Sequence, residues 1–185
     1  MVHVEQKEYK LELVNALLKS PNHVRGFAKA FKFSHTTVSR KMQELLEDNV
    51  VDYRQDGKNK VYFLKKTIEA RTYVYAAEYY KLFRTVKNSP QLRKVIQAVQ
   101  DNHDIQMALF FGSYAKGRAK ADSDIDLYVE TVDRGIKRDL ELLDSRLSVK
   151  IGTYDPANLL IKEIEKNHVI VKGVEVYYEK SRFFA

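Results

Sequence analysis

Apolar residues recur at helical spacing through the first third of the chain. Leu11, Val14, Leu17 and Leu18 predict a helix that stops near Ser20-Pro21-Asn22. Val24, Phe27, Ala28 and Phe31 predict a short second helix and Phe33-Ser34 a tight turn. Val38, Met42, Leu45 and Leu46 form the inward stripe of a third helix over about residues 34–48. The pattern then changes: residues 50–53, a turn containing Asp56-Gly57, and residues 61–64 predict a β-hairpin. Over residues 67–87 the near-helical spacing returns, with Ile68, Tyr73, Ala76, Ala77, Tyr80, Phe83 and Val86, and Tyr75 and Tyr79 widen that face into a long aromatic helix. Asn88-Ser89-Pro90 interrupts it, with Ser89 as cap and Pro90 in the first turn of a helix reaching Asn102.

Downstream, residues 105–111 read as a short buried strand. Residues 134–146 read as a helix with Ile136, Leu140 and Leu143 inward, and residues 147–154 as a strand. Asp155-Pro156 is expected to start a helix carrying Leu159, Leu160 and Ile164, and residues 169–171 and 174–178 a hairpin about Lys172-Gly173. The expected fold class is α/β in the α+β sense, with a small mixed sheet flanked by helices in the second half. Three segments follow: a domain over residues 1–66, a connecting or dimerisation helix over 67–88, and a domain over 89–185.

A chain of 185 residues with 44% hydrophobic content is long enough for two small domains. Its net charge of +7 is unevenly placed: residues 1–88 carry 17 Lys and Arg against 10 Asp and Glu, whereas residues 89–185 carry 15 of each. All the excess lies in the first half, which suggests a nucleic-acid-facing domain joined to a neutral one. Without cysteine there is neither a disulfide framework nor a thiolate metal site, and the five histidines show no zinc spacing. No signal peptide or apolar membrane-spanning run is read, so a cytoplasmic protein without a membrane partner is expected.

The candidate chemistry lies between Phe111 and Leu127. Asp124 and Asp126 sit two apart among the apolar Ile125, Leu127 and Val129, so a strand places both carboxylates on one face. Two carboxylates held side by side repel unless a divalent cation lies between them. Upstream, Gly112-Ser113 follows a buried strand where a helix can begin, which leaves backbone N–H groups and a hydroxyl free to hold phosphate. Lys116, Arg118 and Lys120 add positive charge. No Gly-x-x-x-x-Gly-Lys-Ser/Thr run is present, so a P-loop ATPase is not supported.

Gly112-Ser113, ten intervening residues, then Asp124-x-Asp126, with Ala115, Gly117, Ser123, Ile125 and Leu127 in agreement, resembles the signature of minimal nucleotidyltransferases of the DNA polymerase β superfamily. The resemblance covers roughly residues 104–178. It implies that Gly112 and Ser113, helped by Lys116 and Arg118, bind the phosphates of a nucleoside triphosphate. Asp124 and Asp126 are then the catalytic carboxylates, binding Mg2+ or Mn2+ that aligns an acceptor oxygen with the α-phosphate. Members usually carry a third carboxylate on the next long strand, and here Lys150 stands at that place, with Asp155 and Asp122 as the nearest substitutes. Some members act as antitoxins that adenylylate a partner toxin, so a protein acceptor is one expectation.

Three helices and a hairpin with a basic tip resemble the winged helix-turn-helix of prokaryotic transcription regulators. The resemblance implies a duplex DNA partner. His35, Thr36, Ser39, Arg40 and Gln43 would then face the major groove, and Arg54, Lys58 and Lys60 on the wing would touch the neighbouring backbone or minor groove. Winged helices also dock proteins and bind tRNA. The aromatic helix that follows is expected to form a homodimer suited to a palindromic site, or to pack within its own chain. Two functions stand side by side: a metal-dependent nucleotidyltransferase coupled to DNA binding, and a DNA-binding transcription regulator whose degenerate transferase domain senses nucleotide or mediates assembly. Lys150 divides them.

Overall fold

The computed structural model describes residues 8–120 and 122–185. They fall into two compact units, one running through Ala77 and including Phe184, the other comprising Glu78–Phe183 and Ala185. Each carries its own sheet flanked by helices, the α+β organisation that the changing hydrophobic period predicts. Among the described residues no helix is long and apolar enough to cross a membrane.

In the first unit, α1 (Tyr9–Lys19), β1 (Asn22–His23), α2 (Val24–Phe31) and α3 (His35–Glu47) precede the hairpin of β2 (Val51–Asp56) and β3 (Asn59–Leu64). The hairpin is longer than its apolar residues indicate, because Val51 pairs with Leu64 and the ladder continues to Asp56 opposite Asn59. The solvent-facing polar residues between them belong to the strands. β1 was not legible at all: two polar residues pair antiparallel with Tyr62 and Val61, giving the order β1-β3-β2. Leu13, Val14 and Leu17 from α1, Phe27 from α2, and Val38, Met42 and Leu45 from α3 are buried. Each such side chain contributes about 1.5–3 kcal/mol by leaving water. Ser34 Oγ caps α3 by accepting the Thr37 N–H at 3.0 Å. At the other end of α3, Asp48 accepts from the Tyr73 hydroxyl at 2.6 Å and from Lys10 Nζ at 2.9 Å. The Tyr73 bond, then the Lys10 bond, holds this carboxyl below its ordinary range.

The division between units falls inside α4 (Ile68–Asn88), ahead of the Asn88-Ser89-Pro90 break. The chain after that break is a 3-10 turn over Pro90–Leu92 followed by α5 (Arg93–Asp101), so the single helix expected from Ser89 is two pieces. The Ser89 side chain caps neither piece; its carbonyl accepts from the Leu92 N–H at 3.0 Å.

The second sheet has the order β6-β5-β4-β7, with β4 (Ala108–Phe110) antiparallel to β5 (Ile125–Glu130) and to β7 (Val169–Lys172), and β6 (Leu147–Gly152) parallel to β5. The one-turn α6 (Gly112–Ala115) follows β4, and α7 (Arg134–Glu141) makes the crossover from β5 to β6. Phe110, Ile125, Leu127, Val129, Leu147 and Val149 pack with Val95 and Val99 of α5 and Leu140 of α7 in one cluster. The alternate residues Leu109, Tyr128 and Ile170 are buried too, so the central strands are covered on both faces.

Three expectations are overturned here. The helix predicted over residues 134–146 ends at Glu141, where Leu142 caps it and an Asp144–Arg146 ion pair of 2.7 Å closes the turn into β6. Asp155-Pro156 does not start a helix. Asp155 Oδ1 accepts the Ala157 N–H at 2.9 Å in a local turn, and Asn158 caps α8 (Leu159–Lys166) through the Leu160 N–H at 2.8 Å. Residues 169–178 are not a hairpin: β7 takes β4 as its partner, and α9 (Val174–Lys180) follows. Val174, Tyr177 and Tyr178 bury one helical face, a 3.6 period that their β-favouring residue types disguise. Gly173 makes the change of direction, with φ of 80° and a backbone so close to Gln106 that a Cβ would lie 2.2 Å from its carbonyl oxygen.

One buried charge cluster stabilises the second unit. Glu78 is 1% exposed, yet ionised. Burial opposes its charge, but Lys81 at 2.6 Å, His168 at 3.8 Å and the Tyr178 hydroxyl at 3.0 Å surround it, and its pKa falls to about 2. The folded value lies below the unfolded one, so this stabilisation is complete above about pH 4.5 and is lost as pH falls towards 2. In urea unfolding at pH 7, Glu78→Gln is expected to lose on the order of 2–3 kcal/mol, a gap that narrows at pH 3. An equal loss at both values would show that the glutamate is not held ionised.

Candidate functional site

The site begins where β4 ends. Phe111 is extended, its N–H donates to the Asp126 carbonyl at 3.0 Å, and this bond continues the β4–β5 ladder by one residue. Gly112 then turns with φ of 65° into α6. Its Cα lies against the Asp126 side chain, where an added Cβ would fall 2.1 Å from Oδ2. The position therefore demands glycine twice over, for its left-handed backbone and for its lack of a side chain. As the first residues of a helical turn, Gly112 and Ser113 have N–H groups without partners inside that turn. Lys116 N–H closes onto the Gly112 carbonyl at 3.2 Å and Arg118 N–H onto the Ser113 carbonyl at 3.0 Å. Buried Tyr114 anchors the turn in the core.

Ser123 Oγ accepts the Lys120 N–H at 2.8 Å; Ala121 lies outside the described residues. Asp124 precedes β5 and is exposed, whereas Asp126, inside the strand, is half-buried between the fully buried Ile125 and Leu127. Burial raises the Asp126 pKa, the Asp124 charge raises it further, and Lys150 opposes both. A half-buried carboxylate repelled by a neighbouring one, with a bare backbone laid against it, fits a bound divalent cation.

The structure brings Gly112, Ser113, Asp124 and Asp126 to one end of the sheet. Lys150 joins them. In the parallel β5–β6 pair, Ser148 stands opposite Asp126 and Lys150 opposite Tyr128, so Lys150 shares the face of Asp126, and it is exposed. The basic residues are less concentrated than the sequence suggests. Lys116 reaches away to Glu163 of α8 at 3.1 Å, while Arg118 and Lys120 are exposed. Glu163, 47 residues beyond Lys116, carried no signal in the sequence. Asp155 is engaged in its own turn and Asp122 is exposed, and among the described residues no group of three or more His, Cys, Asp or Glu is placed to hold a metal ion.

In the first unit, His35, Thr36, Ser39, Arg40 and Gln43 are exposed and line one open groove along α3. Glu44 and Glu47 line the same groove, where the sequence predicts only basic and neutral polar residues; Arg40 Nε lies 4.0 Å from Glu44 and Gln43 donates to Glu47 at 3.0 Å. Arg54, Lys58 and Lys60 are exposed on the hairpin, with Lys60 Nζ 4.0 Å from the centre of the Tyr53 ring.

Residues 93–182 match the family model described as Polymerase beta, Nucleotidyltransferase. The matched segment runs from the first residue of α5 through α9 and contains Gly112, Ser113, Asp124, Asp126 and Lys150. It is similar to nucleotidyltransferases, and nucleotidyl transfer is the general chemistry that the match supports. No curated protein matches the chain.

Gly112→Ala tests the cradle directly. With a left-handed backbone and a 2.1 Å overlap, the variant is expected to lose at least about 1 kcal/mol in thermal unfolding, with a lowered Tm. An unchanged Tm would show that the turn and Asp126 are not in contact.

Proposed function

We propose that the unit Glu78–Phe183 binds a nucleoside triphosphate and transfers its nucleotidyl group to an acceptor, and that the preceding unit directs this activity to duplex DNA. The observation that carries the reading is the contact of Gly112 with Asp126, which brings the turn after β4 against the strand that carries the aspartates. Asp124 and Asp126 would hold Mg2+ or Mn2+. Bound there, the cation would supply charge neutralisation at the transferring phosphate. Gly112 and Ser113 would donate N–H groups, and Ser113 its hydroxyl, to the terminal phosphates. Arg118 is exposed and adds positive charge, while Lys116 would have to leave Glu163 to do the same. The acceptor is a protein, such as a partner toxin, or a small hydroxyl compound.

In the first unit, three helices, a three-stranded antiparallel sheet and a basic hairpin support the winged helix-turn-helix reading. α3 would enter the major groove by its first two turns, where His35, Thr36, Ser39 and Arg40 precede the acidic Glu44 and Glu47. The exposed Tyr79 and Phe83 on α4 support a homodimer through that helix. A second reading is a cytoplasmic transcription regulator whose transferase-like unit senses nucleotide. Lys150 favours it, because a lysine stands where the resembling enzymes have a carboxylate.

ATP with Mg2+ is expected to raise the Tm, by about 2.7 kcal/mol of stabilisation at a hundredfold excess over Kd, and the pair Asp124→Asn and Asp126→Asn to abolish the shift. No shift at millimolar nucleotide sinks the nucleotide reading. Separately, affinity for duplex DNA measured by fluorescence anisotropy is expected to fall steeply with salt, and Arg40→Ala to weaken it by about 1–3 kcal/mol. Unaltered affinity in that variant removes α3 from the interface.

A further inference from the structure

The carboxylates near Asp126 are nearly all engaged elsewhere. Along the same face of β5, the Tyr128 hydroxyl donates to the Gly152 carbonyl at 3.0 Å, and Glu130 is held by Lys180 at 2.9 Å and by the Tyr154 N–H at 3.2 Å. Glu141 accepts the Val149 N–H at 3.0 Å on β6, and Asp155 is turned into its own loop. On this face of the β5–β6 pair what remains is Asp126, the neutral Ser148 and the ammonium of Lys150, with Asp124 just ahead of β5; Asp122, Arg118 and Lys120 belong to the exposed turn before it. Neighbouring strands lie about 4.8 Å apart and strand residues about 3.3 Å along, so a lysine one pleat beyond Ser148 reaches the space over Asp126 with its extended side chain.

Asp124, Asp126 and Lys150 together leave a single negative charge, which suits one divalent cation and opposes a second. We infer that this site binds its nucleoside triphosphate with one divalent cation, held by Asp124 and Asp126, and that Lys150 supplies the second positive charge as a fixed ammonium. The inference rests on the nucleotide-binding reading of this unit. An ammonium has three N–H donors and no vacant coordination site, so Lys150 pairs with a phosphate oxygen but does not coordinate an acceptor hydroxyl as a metal ion would. Lys150 is on this account a triphosphate-binding residue. A cation held by the two aspartates and a protein cation on the neighbouring strand would share the neutralisation of the triphosphate.

The full chain, saturated with a non-hydrolysable ATP analogue and Mn2+, gives a direct count. Bound Mn2+ is read by electron paramagnetic resonance after equilibrium dialysis. The expected result is one Mn2+ per chain for the native protein, two for Lys150→Asp, and one for Lys150→Met with analogue affinity reduced about tenfold. Lys150 is exposed, and melting curves without ligand verify that each variant folds. Two ions in the native protein, one in Lys150→Asp, or undiminished affinity in Lys150→Met each overturn the inference while leaving nucleotide binding intact. Failure of the native protein to bind the analogue overturns it together with the reading on which it rests.

Discussion

The contact between the Gly112 backbone and the Asp126 carboxylate is the constraint on which the site in the second unit depends. It exists because β4 and β5 pair antiparallel and the ladder runs one residue past β4, through the Phe111 N–H and the Asp126 carbonyl. The end of one strand is thereby locked to the start of the next. The chain leaving β4 must then turn within van der Waals distance of a side chain on β5, which only a residue without Cβ and with access to positive φ achieves. The short helical turn that follows is fixed at its far side by the burial of Tyr114 and at its near side by Asp126. The partial burial that raises the Asp126 pKa belongs to the same arrangement, since a carboxylate standing free of the turn would be as exposed as Asp124.

This constraint also explains how much could be read before the structure. Asp124, Asp126 and Gly112-Ser113 were legible because strand alternation and a glycine turn are local properties. The long elements with clean periods, such as α3 and α4, followed for the same reason. β1 escaped because its two residues owe their extended state to β3, and nothing in Asn22-His23 favours a strand. α9 was mistaken for a strand because Val174, Val176 and two tyrosines have the composition of one, and only the buried set Val174, Tyr177 and Tyr178 reveals the helical period. The true start of α8 depended on which of two nearby side chains, Asp155 or Asn158, caps the helix; both form local turns, so sequence alone does not choose. Lys116 illustrates the nonlocal case. Its position beside the phosphate turn was clear, but its partner Glu163 comes from a helix much later in the chain.

In the first unit, charge is arranged in two layers. Glu44 is drawn inward by Lys41 at 2.8 Å and Lys10 at 3.3 Å, and the cap residue Asp48 by Lys10 and Tyr73, so these two carboxylates serve the cohesion of the unit while Glu47 stays exposed. The first half of α3 carries none, and its Ser34 cap leaves His35, Thr36, Ser39 and Arg40 on an open face. The overall positive charge of this half of the sequence is therefore not spread evenly over α3 but graded along it, towards the N-terminus and the hairpin. A polyanion brought to that surface would meet repulsion from Glu47 and attraction from Arg40. This gradient is a property of the folded arrangement, and the count of basic residues alone does not contain it.

Lys150 admits a plainer reading than a part in the site. β6 lies at the sheet edge, and a lysine on an edge strand discourages other strands from adding to it. Two observations separate the readings. The outward N–H of Val149 is already covered by Glu141, so the middle of this edge has a guard that does not involve Lys150. The pleat, moreover, directs Lys150 not outward along the edge but onto the face it shares with Ser148 and Asp126. Parallel pairing with β5 ties the two positions together: the register that sets Ser148 beside Asp126 fixes the face from which Lys150 projects. The same strand pairing that would present a carboxylate in a two-cation site here presents an ammonium, so the difference lies in the side chain and not in the scaffold that carries it.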